Sequence, residues 1–408
     1  MKTVLFAPET INIAETTRMV EIAKLVKDRY NCVFVGYSDE YSYIITNSGF
    51  EFISLKPWLT KEKTEHLWKV DRMESFADPF TEEELEQRVR SEIEVIGRLH
   101  ASAVIMGFTL SFAVSARVCK IPLIYVMPFP LTEPFLRNNL ATIPDDFYRG
   151  VLKLFPEKWF RRLINKWFLN TKLWIRPFNK ICKKYSIIPI KRLVELYQGD
   201  YNLITDIPEL TGVINLPQNW HYVGFMYAKL EGEIPEIINM IPKDKPLIYC
   251  SMGSSANKDV LRKIIEAFAD IECYVISPMK KHLDEMNIKV PPNVYVTDWL
   301  PAHLVNPIAK IAVIHGGQGT VQTAVASGTP FIGIGLQPEQ ESNIELIVLQ
   351  GSARRIRKHE LTAKKLKHEI DILLKDDKAF EKAKELSTFV KKYNGEELAS
   401  KQIINIIG

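Results

Sequence analysis

Hydrophobic residues along this chain occur in short continuous runs, and between the runs they recur every three or four positions. Short apolar runs are typical of strands buried on both faces, and the longer period is typical of helices that bury one side. The runs predict strands at 3–7, 32–35, 103–106, 123–126, 246–250, 273–276, 294–296, 311–314 and 331–334. The periodic stretches predict helices at 16–27, 82–100, 111–119, 260–268, 362–374, 378–391 and 396–407.

This alternation of strand and helix predicts a parallel α/β sheet in each half of the chain. A length of 408 residues exceeds one ordinary core and predicts two domains. The polar, proline-bearing stretch 228–245 lies between the two alternating runs and is interpreted as the linker. We therefore expect an α/β fold with Rossmann-like domains at 1–228 and 229–390, followed by a helix within 391–408.

A glycine-rich stretch directly after one predicted strand carries the first candidate chemistry. The run HGGQG at 315–319 turns sharply, and an apolar helical period follows from Thr320. The first amides of a helix have no partner within it, and the helix dipole favours an anion there, so this turn predicts a phosphate site. The alternative is that the glycines only turn the strand into the helix. The residues expected at the anion are His315, Gly317, Gln318, Gly319 and Thr320.

The next predicted strand leads to a second polar cluster, PEQESN at 338–343, at the start of another helix. The carboxyl ends of neighbouring parallel strands lie at one edge of a sheet, so the two clusters are expected side by side. Phosphate donors would then adjoin a carboxylate and amides suited to hydroxyl groups. A diphosphate joined to a sugar fits this pair.

These motifs resemble those of a known family, the nucleotide-sugar-dependent glycosyltransferases of the GT-B fold, in the UDP-glycosyltransferase group with its macrolide, flavonoid and sterol enzymes. The resemblance covers most of the chain and is specific in the C-terminal half. It implies two Rossmann-like domains facing across a cleft, the first for the acceptor and the second for the nucleotide sugar, with the last helix returning to the first. The motifs that carry it are Ser251-Met252-Gly253-Ser254-Ser255, Trp299-Leu300-Pro301, His315-Gly316-Gly317, Gly319-Thr320, Gly328-x-Pro330 and Glu339-Gln340-x-x-Asn343.

The resemblance also implies a role for each donor-site residue. His315, with the amides of Gly319 and Thr320, would hold the diphosphate. Trp299 would stack on the nucleobase, although a core tryptophan is the alternative. Glu339 and Gln340 would bind sugar hydroxyls, and no cofactor beyond the nucleotide sugar is expected.

The chain departs from the family pattern at two donor positions. Thr323 stands where the family usually has the glutamate that holds the ribose, and a threonine offers only a shorter, neutral contact. Ala302 stands where a glutamine is common, so only its backbone would read the base edge. A UDP-sugar remains the first choice, with a dTDP-sugar behind it. Ser254 and Ser255 would cap a helix or touch phosphate, and the two uses stay open.

The catalytic base departs further. Family members usually carry a histidine before the first helix, oriented by an aspartate from a later strand end, but no histidine precedes His66 here. The alignment places Glu15 at the histidine position and Met106 or Gly107 at the aspartate position. We predict Glu15 as the base, with Glu9 as second candidate. The alternatives are that Glu15 only complements the helix dipole, and that an acceptor already anionic needs no base.

Composition excludes several classes. The chain has 46% hydrophobic and 25% charged residues, typical of a soluble globular protein. A net charge of +4 does not argue for nucleic acid. The five cysteines are scattered, which suggests neither a zinc site nor a disulfide framework. No Asp-x-Asp triplet occurs, so metal independence is expected. We expect a cytoplasmic protein, because no signal pattern or spanning apolar run is found.

The segment 148–185 is strongly basic and rich in aromatic residues. Three interpretations stay open: ordinary helices with solvated cations, peripheral membrane or lipid contact, and RNA binding, of which nucleic acid is the least favoured. The cations are Arg149, Lys153, Lys158, Arg161, Arg162, Lys166, Lys172, Arg176, Lys180, Lys183 and Lys184, and the aromatic residues are Trp159, Phe160, Trp167, Phe168, Trp174 and Phe178.

The leading hypothesis is therefore an inverting, metal-independent glycosyltransferase that acts on a small lipophilic or lipid acceptor. A catalytically silent relative that binds a sugar nucleotide or assists a partner enzyme is the second. A UDP-sugar epimerase of the same fold is the third, and no residue specifically favours it.

Overall fold

The protein is described by a computed structural model that covers residues 1–130, 132–229, 232–253 and 258–408. The chain divides into two compact units. Unit 1 comprises Met1–Ala141, Arg162–Met226 and Tyr393–Gly408, and unit 2 comprises Thr142–Arg161 and Tyr227–Lys392.

Strands in the described part of unit 1 form one parallel sheet. They are β1 (Lys2–Ala7), β2 (Tyr30–Gly36), β3 (Glu51–Ser54), β4 (Ala101–Met106), β5 (Leu123–Met127), β6 (Tyr201–Ile204) and β7 (Trp220–Tyr222). Their order across the sheet is β3-β2-β1-β4-β5-β6-β7. The chain builds this sheet outward in both directions from the β1–β4 pair, which makes that pair the topological switch point.

The described strands of unit 2 form a second parallel sheet. They are β8 (Leu247–Ser251), β9 (Tyr274–Ser277), β10 (Val294–Val296), β11 (Ile311–Ile314), β12 (Phe331–Gly333) and β13 (Ala353–Arg355). Their order is β10-β9-β8-β11-β12-β13, so the switch point here is the β8–β11 pair.

Helices connect these strands, as parallel pairing requires. In chain order they are α1 (Ile13–Val26), α2 (Ser42–Asn47), α3 (Lys61–Asp71), α4 (Glu82–Arg98), α5 (Phe112–Cys119), α6 (Glu133–Arg137), α7 (Glu157–Asn170), α8 (Ile175–Lys184), α9 (Pro208–Thr211), α10 (Ile237–Met240), α11 (Lys258–Ala267), α12 (Lys280–Glu285), α13 (Ala302–Val305), α14 (Gln318–Ser327), α15 (Pro338–Leu349), α16 (Ala363–Leu373), α17 (Asp377–Val390) and α18 (Gly395–Ile407).

The local sequence explains how the site-bearing helix α1 forms and is held. The Asn12 side chain caps α1 by accepting from the amides of Ala14 and Glu15. The apolar side of α1 packs into the core of unit 1, and Ile403 and other residues of α18 pack into the same core. The start of α1 is thereby fixed beside the carboxyl end of β1.

The predicted α/β fold with two parallel sheets is confirmed. The segment 56–79 has no strong hydrophobic period in the sequence, which predicts a loop, and this prediction is wrong because α3 lies within it. The Thr60 side chain caps this helix by accepting from the Lys63 amide. Val70 is the one residue of α3 that is fully buried, so the helix shows no apolar period in the sequence.

The segment Thr142–Arg161 belongs to unit 2, whereas the predicted boundary at 228 places it in the first domain. A buried ion cluster, described below, joins it to β13 and α15. Its partners are far apart in sequence, so the pattern of strands and helices could not reveal this exchange of a segment.

Candidate functional site

The carboxyl ends of β8 and β11 meet at His315, at the switch point of unit 2. The His315 amide donates to the Ser251 carbonyl at 3.3 Å. The imidazole lies against two glycines, because a Cβ at Gly253 or Gly317 would be 2.7 or 2.4 Å from His315 Nε2. Gly253 also has a φ of +67°, which disfavours other residues. Gly253 and Gly317, of which Gly317 was predicted at the anion, therefore make room for the imidazole.

Burial controls the charge of this histidine. It lowers the pKa of His315 to about 4, against a smaller opposing effect of the Ser251 carbonyl. His315 Nδ1 lies 3.4 Å from that carbonyl oxygen, which only accepts, so we assign the proton of the neutral ring to Nδ1. Nε2 is then without a proton. A phosphate oxygen at Nε2 would require the ring to take up a second one.

Helix α14 begins at Gln318, two residues before the predicted start, with Gly317 as its N-cap. The amides of Thr320 and Val321 both donate to the Gly317 carbonyl at 3.0 Å, so the expectation of a free Thr320 amide is wrong. The Gly319 amide has no such bond within the part of the chain that the structure describes. The positive end of the helix dipole still lies at this turn.

The side predicted to face a nucleobase consists of one exposed side chain and backbone groups. Trp299 is 39% exposed, as a stacking surface requires and a core tryptophan does not. Its ring lies against Gly232, where a Cβ would be 2.3 Å from the indole. Ala302 begins α13, and its carbonyl accepts from the backbone amide and the side chain of Asn306, each at 2.9 Å. Of the Ala302 backbone, the amide is thus the better placed for a base edge.

The predicted donor contacts of Thr323 and of Ser254 and Ser255 remain. The Thr323 hydroxyl donates to the Gly319 carbonyl at 2.7 Å, so it would only accept from a ribose. This position therefore supplies even less than the neutral contact expected there. Ser254 and Ser255 lie outside the described residues.

The first turn of α15 is tied to the glycine turn. Asn343 Nδ2 donates to the Gly316 carbonyl at 3.1 Å and to Glu339 Oε1 at 2.8 Å. Glu339 and the turn after β11 are thereby brought together, as the adjacent strand ends predict. Gln340 instead holds the loop 336–337, accepting from an amide at 3.0 Å and donating to a side-chain oxygen at 2.5 Å. A sugar contact by Gln340 would replace these bonds.

Sequence reasoning missed a buried ion cluster that fixes α15. Arg355 Nη2 lies 2.6 Å from Asp145 Oδ1 and 3.1 Å from Glu341 Oε2. Arg357 Nη1 lies 2.7 Å from the same Asp145 oxygen. Burial raises the pKa of Glu341, with Asp145 acting in the same direction and Arg355 against it. The acidic and basic residues of the cluster are far apart in sequence, since 210 positions separate Asp145 from Arg355. A local sequence pattern therefore could not reveal their contact.

Glu15 occupies the switch point of unit 1. Its Oε2 accepts from the Glu9 amide at 2.8 Å, and both its oxygens lie within 3.2 Å of the Phe108 amide. A Cβ at Gly107 would lie 2.2 Å from Glu15 Oε2, so the family's aspartate position has no room for a side chain while Glu15 is there. Burial raises the pKa of Glu15 to about 7. Glu15 thus links the loops after β1 and β4.

Glu9 has a different environment. Its Oε2 lies 3.3 Å from Arg88 Nη2, and its buried Oε1 has no hydrogen-bond partner among the described residues. Burial raises the pKa of Glu9, and Arg88 opposes the shift. The Arg88 guanidinium stacks over the rings of Tyr37 at 3.6 Å and Phe80 at 4.4 Å. Arg88 therefore holds one Glu9 oxygen, while the other is buried without a hydrogen-bond partner among the described residues.

Glu92 completes this buried group, and neither it nor Arg88 was predicted. The hydroxyls of Tyr37 and Ser115 donate to Glu92 at 2.7 and 2.6 Å, and the Ser111 hydroxyl donates as well. Burial raises the pKa of Glu92 to about 7. A signal existed in the sequence, because Arg88 and Glu92 fall on the apolar side of α4, where charges are rare.

Comparison with known proteins gives three results. The family described as "Erythromycin biosynthesis protein CIII-like, C-terminal domain" matches residues 262–396. A PGL/p-HBAD biosynthesis glycosyltransferase of Mycobacterium tuberculosis (strain ATCC 25177 / H37Ra) is 28% identical over 281 residues, 68% of this chain and 64% of the relative. The chain thus matches less than two thirds of that relative's length. An "inactive" PGL/p-HBAD biosynthesis glycosyltransferase of Mycobacterium bovis (strain BCG / Pasteur 1173P2) is 27% identical over 185 residues, 45% of this chain and 50% of the relative.

Solved structures share the fold. The spinosyn rhamnosyltransferase SpnG complexed with thymidine diphosphate superposes with a TM-score of 0.69 at 13% identity, covering 99% of this chain and 100% of that one. The two parallel sheets and this likeness define a protein of the GT-B fold. Within that class, residues 262–396 match the erythromycin CIII-like C-terminal domain, and the chain is similar to named glycosyltransferases.

Proposed function

We propose that the chain transfers a sugar from a nucleotide sugar to a small lipophilic or lipid acceptor, with inversion at the anomeric carbon. The observation that carries this proposal is the position of His315 at the β8–β11 switch point, beside the start of α14 and the Asn343–Glu339 link. A UDP-sugar is the first donor and a dTDP-sugar the second. The bound thymidine diphosphate of the structural neighbour SpnG supports a nucleoside diphosphate at this fold.

Charge neutralisation of the leaving diphosphate is assigned to the α14 dipole and to protonated His315. The described residues include no group of three or more His, Cys, Asp or Glu side chains arranged to hold a metal ion. Metal independence stays a prediction. Turnover should survive an excess of a divalent-ion chelator, and loss of turnover that added Mg²⁺ or Mn²⁺ restores would contradict it.

The acceptor proton is assigned to the acidic pair of unit 1. Glu15 was the first candidate from the sequence, but both its oxygens already accept from backbone amides, so acting as a base would release the two loops it links. Glu9 keeps one oxygen without a protein partner, and Arg88 fixes the other. We therefore assign the base to Glu9 and a positioning role to Glu15.

The test of the proposed activity is release of nucleoside diphosphate. UDP-glucose, UDP-galactose and dTDP-rhamnose would be incubated with the protein and an acceptor panel of decan-1-ol and 4-nitrophenol. Acceptor-dependent release, with an inverted anomeric centre by proton NMR, is expected. A panel that gives no release from any donor would count against the transferase.

The second candidate is a silent relative that binds the nucleotide sugar without turnover. The missing histidine–aspartate pair favours it, as does the similarity to a relative named inactive. It predicts thermal stabilisation by the nucleotide sugar without release of nucleoside diphosphate.

Peripheral contact of the segment 148–185 with a membrane is also part of the proposed function.

A further inference from the structure

The helix α7 turns an apolar stripe outward. Trp159, Leu163 and Trp167 are 60%, 63% and 42% exposed. They are spaced four residues apart, so they form one line along the helix. The exposed apolar surface begins just before α7, where Leu154 is 80% exposed and the ring of Phe155 lies 6.4 Å from that of Trp159. Large apolar side chains are rarely left exposed together on a protein surface without a partner.

A cationic stripe accompanies the apolar one. Lys158, Arg162 and Lys166 are also exposed and also four residues apart. They form no ion pair with any residue that the structure describes, whereas the neighbouring Arg161 pairs with Glu345. The helix is described throughout, and its exposed positions carry no acid. Both stripes lie on one helix, so their spacing follows from helix geometry alone.

The rotation of α7 is fixed by a buried amide. Asn165 exchanges two hydrogen bonds with the Ala141 backbone, at 3.0 and 2.8 Å. Leu163 and Trp167 are each two residues from Asn165 and therefore project from the other side of the helix. The helix α8 behaves differently, since its aromatic residue Phe178 is 1% exposed. The interpretation as ordinary core helices thus holds for α8 and fails for the outer face of α7.

We propose that this face of α7 docks on an anionic lipid bilayer. Trp, Leu and Lys or Arg in adjoining stripes are the composition of helices that lie in the membrane interface, where indole rings favour the headgroup boundary and cations pair with acidic headgroups. Within the described residues, no helix is long and apolar enough to cross the bilayer. Docking would bring the chain to a lipophilic acceptor, and this inference extends the membrane part of the proposed function.

Vesicle sedimentation tests the proposal without requiring turnover, so it can fail separately from the transferase activity. The intact protein would be mixed with vesicles of phosphatidylcholine alone, or with 30% phosphatidylglycerol. The charge variant is K158Q/R162Q/K166Q, and the apolar variant is W159S/L163S/W167S. Matched controls remove three exposed lysines elsewhere (K364Q/K378Q/K384Q) or three exposed apolar residues elsewhere (I214S/M240S/L349S).

Wild-type protein is expected to bind the anionic vesicles and to leave the neutral ones in solution. Each basic residue near an anionic surface contributes about fivefold to partitioning, so the charge variant should bind on the order of 10²-fold more weakly. The apolar variant should also lose tenfold or more, because each side chain that enters the interface adds to the affinity. Both controls should bind like wild type.

Three results would overturn the proposal. Equal binding to neutral and anionic vesicles removes the role of charge. An apolar variant that binds like wild type leaves only unspecific adsorption of cations. If the intact protein binds a single-stranded 30-nucleotide RNA more tightly than anionic vesicles, and the charge variant loses that binding, the outer face of α7 is assigned to nucleic acid. Circular dichroism and thermal unfolding show whether each variant is folded, and quenching of wild-type tryptophan fluorescence by brominated lipids checks insertion without any substitution.

Discussion

Each unit has one pair of central strands from which its sheet grows in both directions, β1 with β4 and β8 with β11. The carboxyl ends of both pairs hold a buried ionisable side chain close to a glycine that leaves space for it. In unit 2 this is His315 beside Gly253, and in unit 1 it is Glu15 beside Gly107. The same topology therefore selects the position, while the loops after the strands select the chemistry.

Burial shifts both His315 and Glu15 toward their neutral forms. Because one group is a base and the other an acid, the pKa values move in opposite directions at the two switch points. The pKa of His315 falls to about 4 and that of Glu15 rises to about 7. A neutral imidazole gains a charge when an anion arrives, which suits a diphosphate. In unit 1 the assigned base is Glu9, whose backbone amide Glu15 holds; burial raises the pKa of Glu9 too, and a buried acid of this kind suits proton exchange with an acceptor hydroxyl. We thus expect donor binding at one switch point and proton transfer at the other.

The largest expected effect is on turnover. Glu9→Gln should lower kcat on decan-1-ol by about 10²-fold with little change in donor affinity, since general base catalysis contributes about that much. The same variant should stay close to wild type on 4-nitrophenolate, an acceptor that has already lost its proton. Steady-state kinetics with both acceptors measure the difference.

Glu15→Gln separates a base from a positioning residue. It should lower turnover on both acceptors alike if Glu15 only holds the loops, and on decan-1-ol alone if Glu15 is the base. The matched control is Glu21→Gln, because Glu21 is partly exposed on the same helix and forms an ion pair with Lys24. An unaltered rate on decan-1-ol for Glu9→Gln would refute the assignment to Glu9.

The next effect is on donor affinity. His315→Ala should weaken UDP-sugar binding about tenfold or more, because a hydrogen bond to a charged group contributes roughly 1.5 to 3 kcal/mol. Calorimetry in buffers of different ionisation enthalpy should also show proton uptake by wild type that His315→Ala lacks. The control is His368→Ala, on an exposed position of α16. Equal affinity of His315→Ala and wild type would remove His315 from the diphosphate site.

The sequence predicted the parts of the fold and site that depend on local pattern. Apolar runs revealed most of the central strands, and the glycine residues after β11 indicated the strand-to-helix turn that carries His315. The edge strands β3 and β13 were missed because partly exposed residues interrupt their apolar pattern, and the four-residue inner strand β6 was missed as well. Helix α3 was missed for a similar reason, since its surface is almost wholly polar.

Long-range contacts could not be predicted from periodicity. The Arg88 contact with Glu9 joins residues 79 positions apart, and the Asp145–Arg355 pair joins residues 210 apart. The internal bonds of Gln340 and Thr323 were also missed, because a sequence shows that a side chain is polar but not whether the protein already uses it. What fails in such cases is the assumption that a polar residue near a site faces the ligand.

The smallest expected effect is on the pH dependence of stability, and it has opposite signs at the two switch points. Between about pH 4.5 and 7 folded Glu15 holds a proton that the unfolded chain releases, so its contribution to stability falls as the pH rises. Between about pH 4 and 6.5 the unfolded chain protonates His315 and the folded chain does not, so that contribution rises with pH. Urea unfolding from pH 5 to 6.5 measures both slopes, each at most about 1.4 kcal/mol per pH unit. Glu15→Gln should make the slope more positive and His315→Ala more negative, with Glu21→Gln and His368→Ala as controls. If Glu15→Gln and His315→Ala shifted the slope of stability against pH in the same direction, the opposite pKa shifts of Glu15 and His315 would be contradicted.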